Sequence, residues 1–362
     1  MRKVRVDLGE NSYDIFIGHC LKDEIIKFIQ AKGYSCHALV VTDTNVGALY
    51  GETVLQILKE AGLQPVLYTV AAGETSKSME ILEGIYTKAI EWKLDRKSPI
   101  FALGGGVVGD LTGFIAATYM RGVPFIQLPT SLLAQVDSSV GGKVAVNHPL
   151  GKNLIGCFYQ PDAVFMDLDY MKTLPEREIY TGLAEIIKYG IIYDESFFCF
   201  LENHVEEILA LHSETMMHII ARSCEIKALV VGKDEKESGL RRILNFGHTM
   251  AHAIEQETKY TRYNHGEAVA VGMIGAAYIS QFMGYIEEKT VQRIKQLIDA
   301  LRLPQQAEGC TADNMYESIF HDKKTIQGKV HWVLMQSIGS VVVENEIPET
   351  VVRDAMGKCL LR

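Results

Sequence analysis

The sequence lacks most of what a secreted, membrane-bound or nucleic-acid-binding protein needs. It has no C-x-x-C pair. Its seven cysteines (Cys20, Cys36, Cys157, Cys199, Cys224, Cys310 and Cys359) are odd in number and scattered. That argues against a disulfide framework or a cysteine-based zinc site, and predicts reduced, mostly buried thiols in a cytoplasmic protein. Long hydrophobic runs are missing as well. The longest, Ala268–Ser280, covers about 13 residues rich in Gly and Ala, short of the ~20 that a membrane-spanning helix requires. It suits a closely packed buried helix instead. Met1–Gly18 mixes charge with alternating apolar residues and has no continuous apolar core of the signal-peptide kind. Basic charge is also short: 36 Lys and Arg against 45 Asp and Glu give a net charge of −9. Neither nucleic acid nor an anionic membrane is an expected partner of such a chain, although a local basic pocket for a small anion is compatible with it. What remains is 362 residues, 48% hydrophobic and 22% charged. This is the ordinary mix for a soluble globular protein of roughly two domains at ~100–200 residues each.

The first half alternates strand and helix patterns. Val4, Val6 and Leu8, then Tyr13, Ile15 and Ile17, predict two strands around Gly9-Glu10-Asn11. Leu21–Lys32, Val46–Ala61 and Ser78–Trp92 have helical periodicity, and a further helix runs through Tyr119. His37–Thr42, Pro65–Val70, Pro99–Leu103 and Phe125–Leu128 read as buried strands. That alternation predicts a parallel sheet covered on both faces. Past Pro175 the texture becomes helical, with segments at Glu178–Tyr189, Ser196–Leu211, Thr215–Lys233, Gly247–Thr258, Glu267–Met283 and Lys289–Leu301. A late hairpin is expected at Lys329–Gln336 with Ser340–Glu344. The reading is an α/β chain, with a Rossmann-like parallel-sheet domain at 1–175 and a mainly α-helical domain at 176–362. A cleft between two such domains is a natural ligand site.

Three stretches carry chemistry. Gly104-Gly105-Gly106-Val107-Val108-Gly109-Asp110 follows an apolar strand and opens a helix. Glycines there let backbone N–H groups approach a pyrophosphate, although the stretch is not the G-x-G-x-x-G fingerprint. Asp43, at a strand end, suits a ribose hydroxyl or, equally, a helix N-cap. Gln135–Gly156 places Asp137, Lys143, Lys152 and Asn153 among four glycines. The stretch reads as a mobile anion-clamping loop, against the plainer alternative of solvated lysines. The third stretch, Arg241–His252 followed by His265-Gly266-Glu267, holds His248 and His252 four apart on one helix face, with His265 opening the next helix. Upstream, Glu185 sits in an apolar helix where an unpaired carboxylate is costly. One Glu with two His makes an open metal site, and spacing leaves open which two of the three histidines bind.

Five stretches, 104–122, 129–156, 182–190, 240–255 and 265–273, in this order and spacing, resemble the 3-dehydroquinate synthase family of sugar phosphate cyclases. The resemblance implies NAD and one divalent ion per subunit, zinc or cobalt, with Glu185, His248 and His265 as its ligands and His252 at the substrate instead. It places Asp137, Lys188, Lys227, Glu237, Arg241 and Asn245 around a sugar acid phosphate, and Lys143, Lys152 and Asn153 in the anion loop. NAD contacts fall on Asp43, Asn45, Glu74, Lys77, Gly105, Gly106, Val107, Val108, Gly109, Asp110, Thr130, Ser131, Lys143, Lys152, Tyr170 and Thr173. Ser131 stands where many members have a second Thr, and the hydroxyl is kept. A late lysine matches Lys323 or Lys324, with Lys324 preferred. Arg121 matches a residue that reaches the neighbouring subunit's phosphate site, which implies a homodimer. The implied reaction turns 3-deoxy-D-arabino-heptulosonate 7-phosphate into 3-dehydroquinate and phosphate. The alternatives are another cyclase, such as 2-deoxy-scyllo-inosose synthase, or a metal-dependent polyol dehydrogenase.

Overall fold

The computed structural model describes residues 1–321 and 330–361 and divides into two compact units. The first comprises Met1–Pro175 with Lys227–Lys236, the second Glu176–Ile226 with Glu237–Arg362.

The first unit is built on strands β1 (Arg2–Val6), β2 (Tyr13–Gly18), β3 (His37–Asp43), β4 (Gln64–Val70), β5 (Ile100–Gly104), β6 (Phe125–Pro129), β7 (Lys143–His148), β8 (Gly151–Phe158) and β9 (Ala163–Asp167). Its helices are α1 (Lys22–Lys32), α2 (Thr44–Glu60), α3 (Met79–Glu91) and α4 (Gly106–Thr118). Among the described residues seven strands form the main sheet, ordered β1-β2-β9-β6-β5-β3-β4. The β1–β2 pair is antiparallel and the other pairs are parallel. Side chains alternate across the pleat, so β3 sends Leu39 and Val41 into the core under α3 and α4, and Ala38 and Val40 into the core under α1 and α2. Both faces are therefore covered, and the strands read as continuous apolar runs. The chain leaves β3 toward β4 on one side and returns to β5 on the other. That reversal is the topological switch point, where open parallel sheets bind ligands at strand carboxyl ends.

The second unit holds α5 (Glu176–Tyr193), α6 (Glu195–Asn203), α7 (Val205–Leu209) and most of α8 (Ser213–Lys233), then α9 (His248–Glu257), α10 (His265–Phe282), α11 (Glu288–Ala300), α12 (Ala312–His321) and α13 (Glu349–Lys358). Strands β10 (Trp332–Ser337) and β11 (Ser340–Glu344) make an antiparallel hairpin. Helix α10 is buried without a break from Ala268 to Ser280, as its small residues require. No helix among the described residues is long and apolar enough to cross a membrane.

Three expectations need correction, and one strand escapes the sequence reading. The 143–156 stretch is no irregular loop but most of the β7–β8 hairpin, whose pairing runs from Lys143↔Phe158 to His148↔Gly151. Its glycines masked the alternation of Val144, Val146 and Ile155. Strand β9, central in the sheet, has too short an apolar run, Ala163–Met166, to stand out. The helix expected over Ser196–Leu211 breaks at His204, which leaves helical geometry. The thiols are not mostly buried: Cys20, Cys36 and Cys157 are exposed, Cys199 and Cys310 are half-buried, and only Cys224 and Cys359 are buried. Apolar neighbours in sequence do not bury a cysteine at a turn, such as Cys20, or on an outward strand position, such as Cys157.

Candidate active site

In the second unit, Glu185, His248 and His265 offer ligand atoms that all lie within 4.8 Å of one another. Local sequence puts them there. His248 is the first residue of α9, after Gly247 in the left-handed region at φ 78°. His265 is the first residue of α10, whose capping box joins Asn264 and Glu267. Arg177 of α5 grips Glu267 with two bonds of 2.7 Å, tying the start of α10 to the helix that carries Glu185. The Glu185 carboxylate is fully buried. Its Oε2 meets the Lys188 ammonium, while Oε1 accepts no hydrogen bond from the described residues. His248 Nε2 stands 3.5 Å and His265 Nε2 3.7 Å from that Oε1. The other ring nitrogens are engaged: His248 Nδ1 donates to the Phe246 carbonyl at 3.1 Å, and His265 Nδ1 pairs with Glu255 Oε1 at 3.3 Å. With Nδ1–H given to these acceptors, a neutral imidazole at either position turns its Nε2 lone pair toward Glu185. Three electron-pair donors converging around a buried carboxylate oxygen are stabilised by a cation, so the residues fit a divalent metal.

The structure brings His252 close without making it part of that set. Its ring centroid is 5.8 Å from His248 and 6.4 Å from His265. The i,i+4 spacing of His248 and His252 therefore does not pick out the converging donors, which come from α5, α9 and α10. Asn245 donates to Glu237 Oε1 at 2.6 Å, and Arg241 is buried on the same 3-10 segment, Leu240–Asn245. The expected Lys323 and Lys324 lie outside the described residues. A second cluster of metal-type side chains, His19, Asp167 and Asp169, lies in the first unit. Its carboxylates are already committed: Asp167 accepts Leu21 and Asp169 N–H groups, and Asp169 pairs with Lys172 at 2.6 Å.

In the first unit, the residues expected at a nucleotide gather at the switch point. Helix α4 starts after Gly105, and no side chain caps its first turn. The N–H groups of Gly106, Val107 and Val108 thus lack intrahelical partners at the positive end of a helix, a fit for pyrophosphate. A Cβ on Gly106 would stand 2.9 Å from Ser138 Oγ, so a side chain there would displace that hydroxyl. Val108 is buried, whereas Gly109 and Asp110 are half-buried. Thr130 N donates to Gly104 O at 3.0 Å and Ser131 Oγ accepts from Ala134 N at 3.3 Å. Asp43 does cap α2, with Oδ1 accepting from Asn45 N at 2.8 Å and Val46 N at 3.0 Å. Both bonds use one oxygen, which leaves Oδ2 compatible with a ribose hydroxyl. Tyr170 packs edge-on against Tyr50, whose hydroxyl bonds the Thr173 hydroxyl.

One network joins several of these residues to the β7–β8 hairpin. Buried Lys77 reaches Asp110 Oδ2 and Asn153 Oδ1, each at 2.5 Å. Asn153 N donates to Asn147 Oδ1 at 2.9 Å, and Asn147 donates to Glu74 Oε1 at 2.7 Å. Burial pushes the Asp110 carboxyl above its ordinary range, against the pull of Lys77. Asn147 was not anticipated, because nothing in sequence distinguishes it from other loop amides. Lys143 and Lys152 are exposed on the same hairpin. Asp137 lies in a π-helical turn, Ala134–Ser138, and binds the buried Lys227 through both its backbone and side-chain oxygens, at 2.6 and 2.7 Å. Such turns recur at functional positions. Arg121 is exposed in a left-handed turn at φ 69°.

Two family models match the chain in sequence: 3-dehydroquinate synthase N-terminal over residues 67–181 and 3-dehydroquinate synthase C-terminal over 182–325. A 3-dehydroquinate synthase of Desulforamulus reducens is 49% identical over 96% of this chain and 98% of its own length. A 2-epi-5-epi-valiolone synthase of Streptomyces hygroscopicus, solved with NAD+ and Zn2+ bound, superimposes with a TM-score of 0.89 at 27% identity, over 98% of each chain. A 2-deoxy-scyllo-inosose synthase, solved with carbaglucose-6-phosphate, NAD+ and Co2+, shares the fold with a TM-score of 0.90 at 24% identity, over 99% of this chain and 100% of that one. Sheet, helical unit and converging donors define the class: the architecture is that of the sugar phosphate cyclases. Within that class, the chain belongs to the 3-dehydroquinate synthase family.

Proposed function

We propose that the chain converts 3-deoxy-D-arabino-heptulosonate 7-phosphate into 3-dehydroquinate and phosphate, the second step of the shikimate route to chorismate and the aromatic amino acids. It acts in the cytoplasm, with NAD recycled and one zinc or cobalt ion per subunit. The observation that carries the reading is the buried Glu185 Oε1 without a hydrogen-bond donor among the described residues, faced by His248 and His265 Nε2, in a chain 49% identical to a named synthase. The 27% identity to the valiolone-forming neighbour supports that alternative less.

Glu185, His248 and His265 would hold the ion; the α4 N-terminus with Asp43, Glu74, Lys77, Thr130 and Thr173 would hold the nucleotide. When bound, NAD supplies reversible oxidation of the C5 hydroxyl and the metal supplies Lewis acidity toward the C4 and C5 oxygens. The chain's own residues position the substrate. Lys152 and Lys143 neutralise an anionic end, and Asn153 hydrogen-bonds to it. Asp137 fixes the Lys227 ammonium, and Glu237 orients the Asn245 amide. Lys188, Arg241 and His252 complete the substrate contacts. No side chain is assigned to the C6 proton, which the substrate's own phosphate oxygens accept. Holding a flexible sugar acid in one geometry supplies much of the rate.

The deciding assay follows phosphate and absorbance at 340 nm together, with the seven-carbon acid phosphate, divalent metal and NAD equimolar to enzyme. Each turnover releases one phosphate and NADH does not accumulate. Stoichiometric NADH without phosphate would make the protein a dehydrogenase and overturn the reading.

The same proposal makes the protein a homodimer in which Arg121 serves the neighbouring subunit's substrate. Its exposure and its left-handed backbone, with Met120 at φ 50° beside it, present the side chain outward. Mixing Arg121→Ala chains with His265→Ala chains should yield hybrids with one intact site and partial activity. Verified hybrids that stay at the parents' level would refute the sharing.

A further inference from the structure

Glu255 is a buried carboxylate to which the reaction assigns no part. It lies on α9 between Ala251, Ala253 and Ile254 on the buried side and is only 6% exposed. An ionised carboxylate in such surroundings is costly unless it is partnered. Its Oε1 stands 3.3 Å from His265 Nδ1, on the far side of the ring from Glu185. His248 is treated differently, since its Nδ1 meets a neutral backbone carbonyl.

We propose that Glu255 is a positioning residue for the metal: it accepts the Nδ1–H of His265, fixing the ring's rotation and tautomer so that Nε2 points at Glu185. The inference rests on the metal reading above. A carboxylate behind the ring does two things that a carbonyl does less well. It raises the basicity of the opposite nitrogen, and its negative charge offsets part of the ion's charge at the buried site. His265 is the more exposed of the two histidines, its side chain 32% accessible against 12% for His248. Packing restrains it less, and an external partner fixes the ring where packing does not. Glu255 thereby couples the C-terminal part of α9 to the first residue of α10.

The test measures zinc binding directly, by chelator competition on the substrate-free chain. Glu255→Ala should weaken zinc affinity about 10- to 100-fold. Glu255→Gln keeps an oxygen acceptor but loses the charge, so it should weaken affinity by less. The visible absorption of the cobalt-loaded Glu255→Gln chain should shift relative to wild type, which a purely structural role would not produce. At saturating zinc the Gln variant should recover most of kcat. If both variants fold, by circular dichroism, and bind zinc like wild type, the inference fails and the metal reading stands. If Glu255→Ala does not fold, the Gln variant decides alone, by its affinity and its cobalt spectrum. A wild-type chain that takes up neither zinc nor cobalt overturns inference and metal reading together.

Discussion

Exhaustive chelation should remove turnover, and zinc or cobalt should restore it. The donor set demands this. Glu185 is buried with Oε1 unbonded, and the two facing imidazoles are held by Phe246 and Glu255 in orientations that turn Nε2 toward it. Three protein donors leave coordination positions open, so the ion is exchangeable, unlike one in a closed four-ligand structural site. Polarising a hydroxyl oxygen in this way is worth several kcal/mol of transition-state stabilisation, or roughly a thousandfold to ten-thousandfold at 1.36 kcal/mol per tenfold. His265→Ala should therefore lose about that factor in kcat/KM and most of its zinc, while Tm moves little, because the half-exposed ring carries little of the core. Lys188 gives the expected loss a second signature. Its ammonium pairs with Glu185, so ions compete with it for one carboxylate, and Lys188→Met should alter metal affinity as well as substrate binding. Full activity in enzyme shown by elemental analysis to hold no metal would sink the assignment.

The sequence made Glu185 visible by the cost of an acid in an apolar helix. The same logic applies to Glu255 in Ala251-His252-Ala253-Ile254-Glu255, but the polar Gln256-Glu257 that follows makes it look like part of a solvated helix end. Choosing among His248, His252 and His265 was beyond spacing alone. Helical period puts His248 and His252 on one face, and only the crossing of α5 and α10 decides that Glu185 and His265 complete the set. The main sheet was legible where strands are continuous apolar runs, as in Leu39–Val41 and Phe101–Leu103. It was not legible at Ala163–Met166, where the run is short and long-range pairing makes the strand. The β7–β8 hairpin was hidden for a different reason. Glycine and lysine at 151–156 have low strand propensity, and the partner residues 143–148 override it.

The contact that sets the donor geometry is made by a glycine, and a substitution there is expected to reach stability and metal binding together. Gly266 follows His265, and a Cβ on it would collide with the backbone of Thr181, 2.6 Å from its Cα and closer still to its carbonyl oxygen. Thr181 lies one turn before Glu185 on α5, and therefore on the same face. The two helices approach so closely only because α10 has no side chain at that point. Backbone cannot rotate away as a side chain can, so Gly266→Ala must separate α5 from α10 near the very residues that converge. Overpacking against movable side chains costs about 1–3 kcal/mol, and this clash should reach the top of that range or exceed it. Metal ligands tolerate errors of only about 0.2 Å, and displacements of ~1 Å cost on the order of a hundredfold in rate. Gly266→Ala should thus lose at least about a hundredfold in both zinc affinity and kcat/KM, together with a lower Tm. Gly357 is the internal control. It is exposed near the end of α13, and nothing stands within 4 Å of a Cβ built there. Gly357→Ala should leave zinc and turnover unchanged and stabilise by up to about 1 kcal/mol, through helix propensity alone. Equal behaviour of the two variants in calorimetry and zinc titration would show that the α5–α10 contact does not set the ligand geometry.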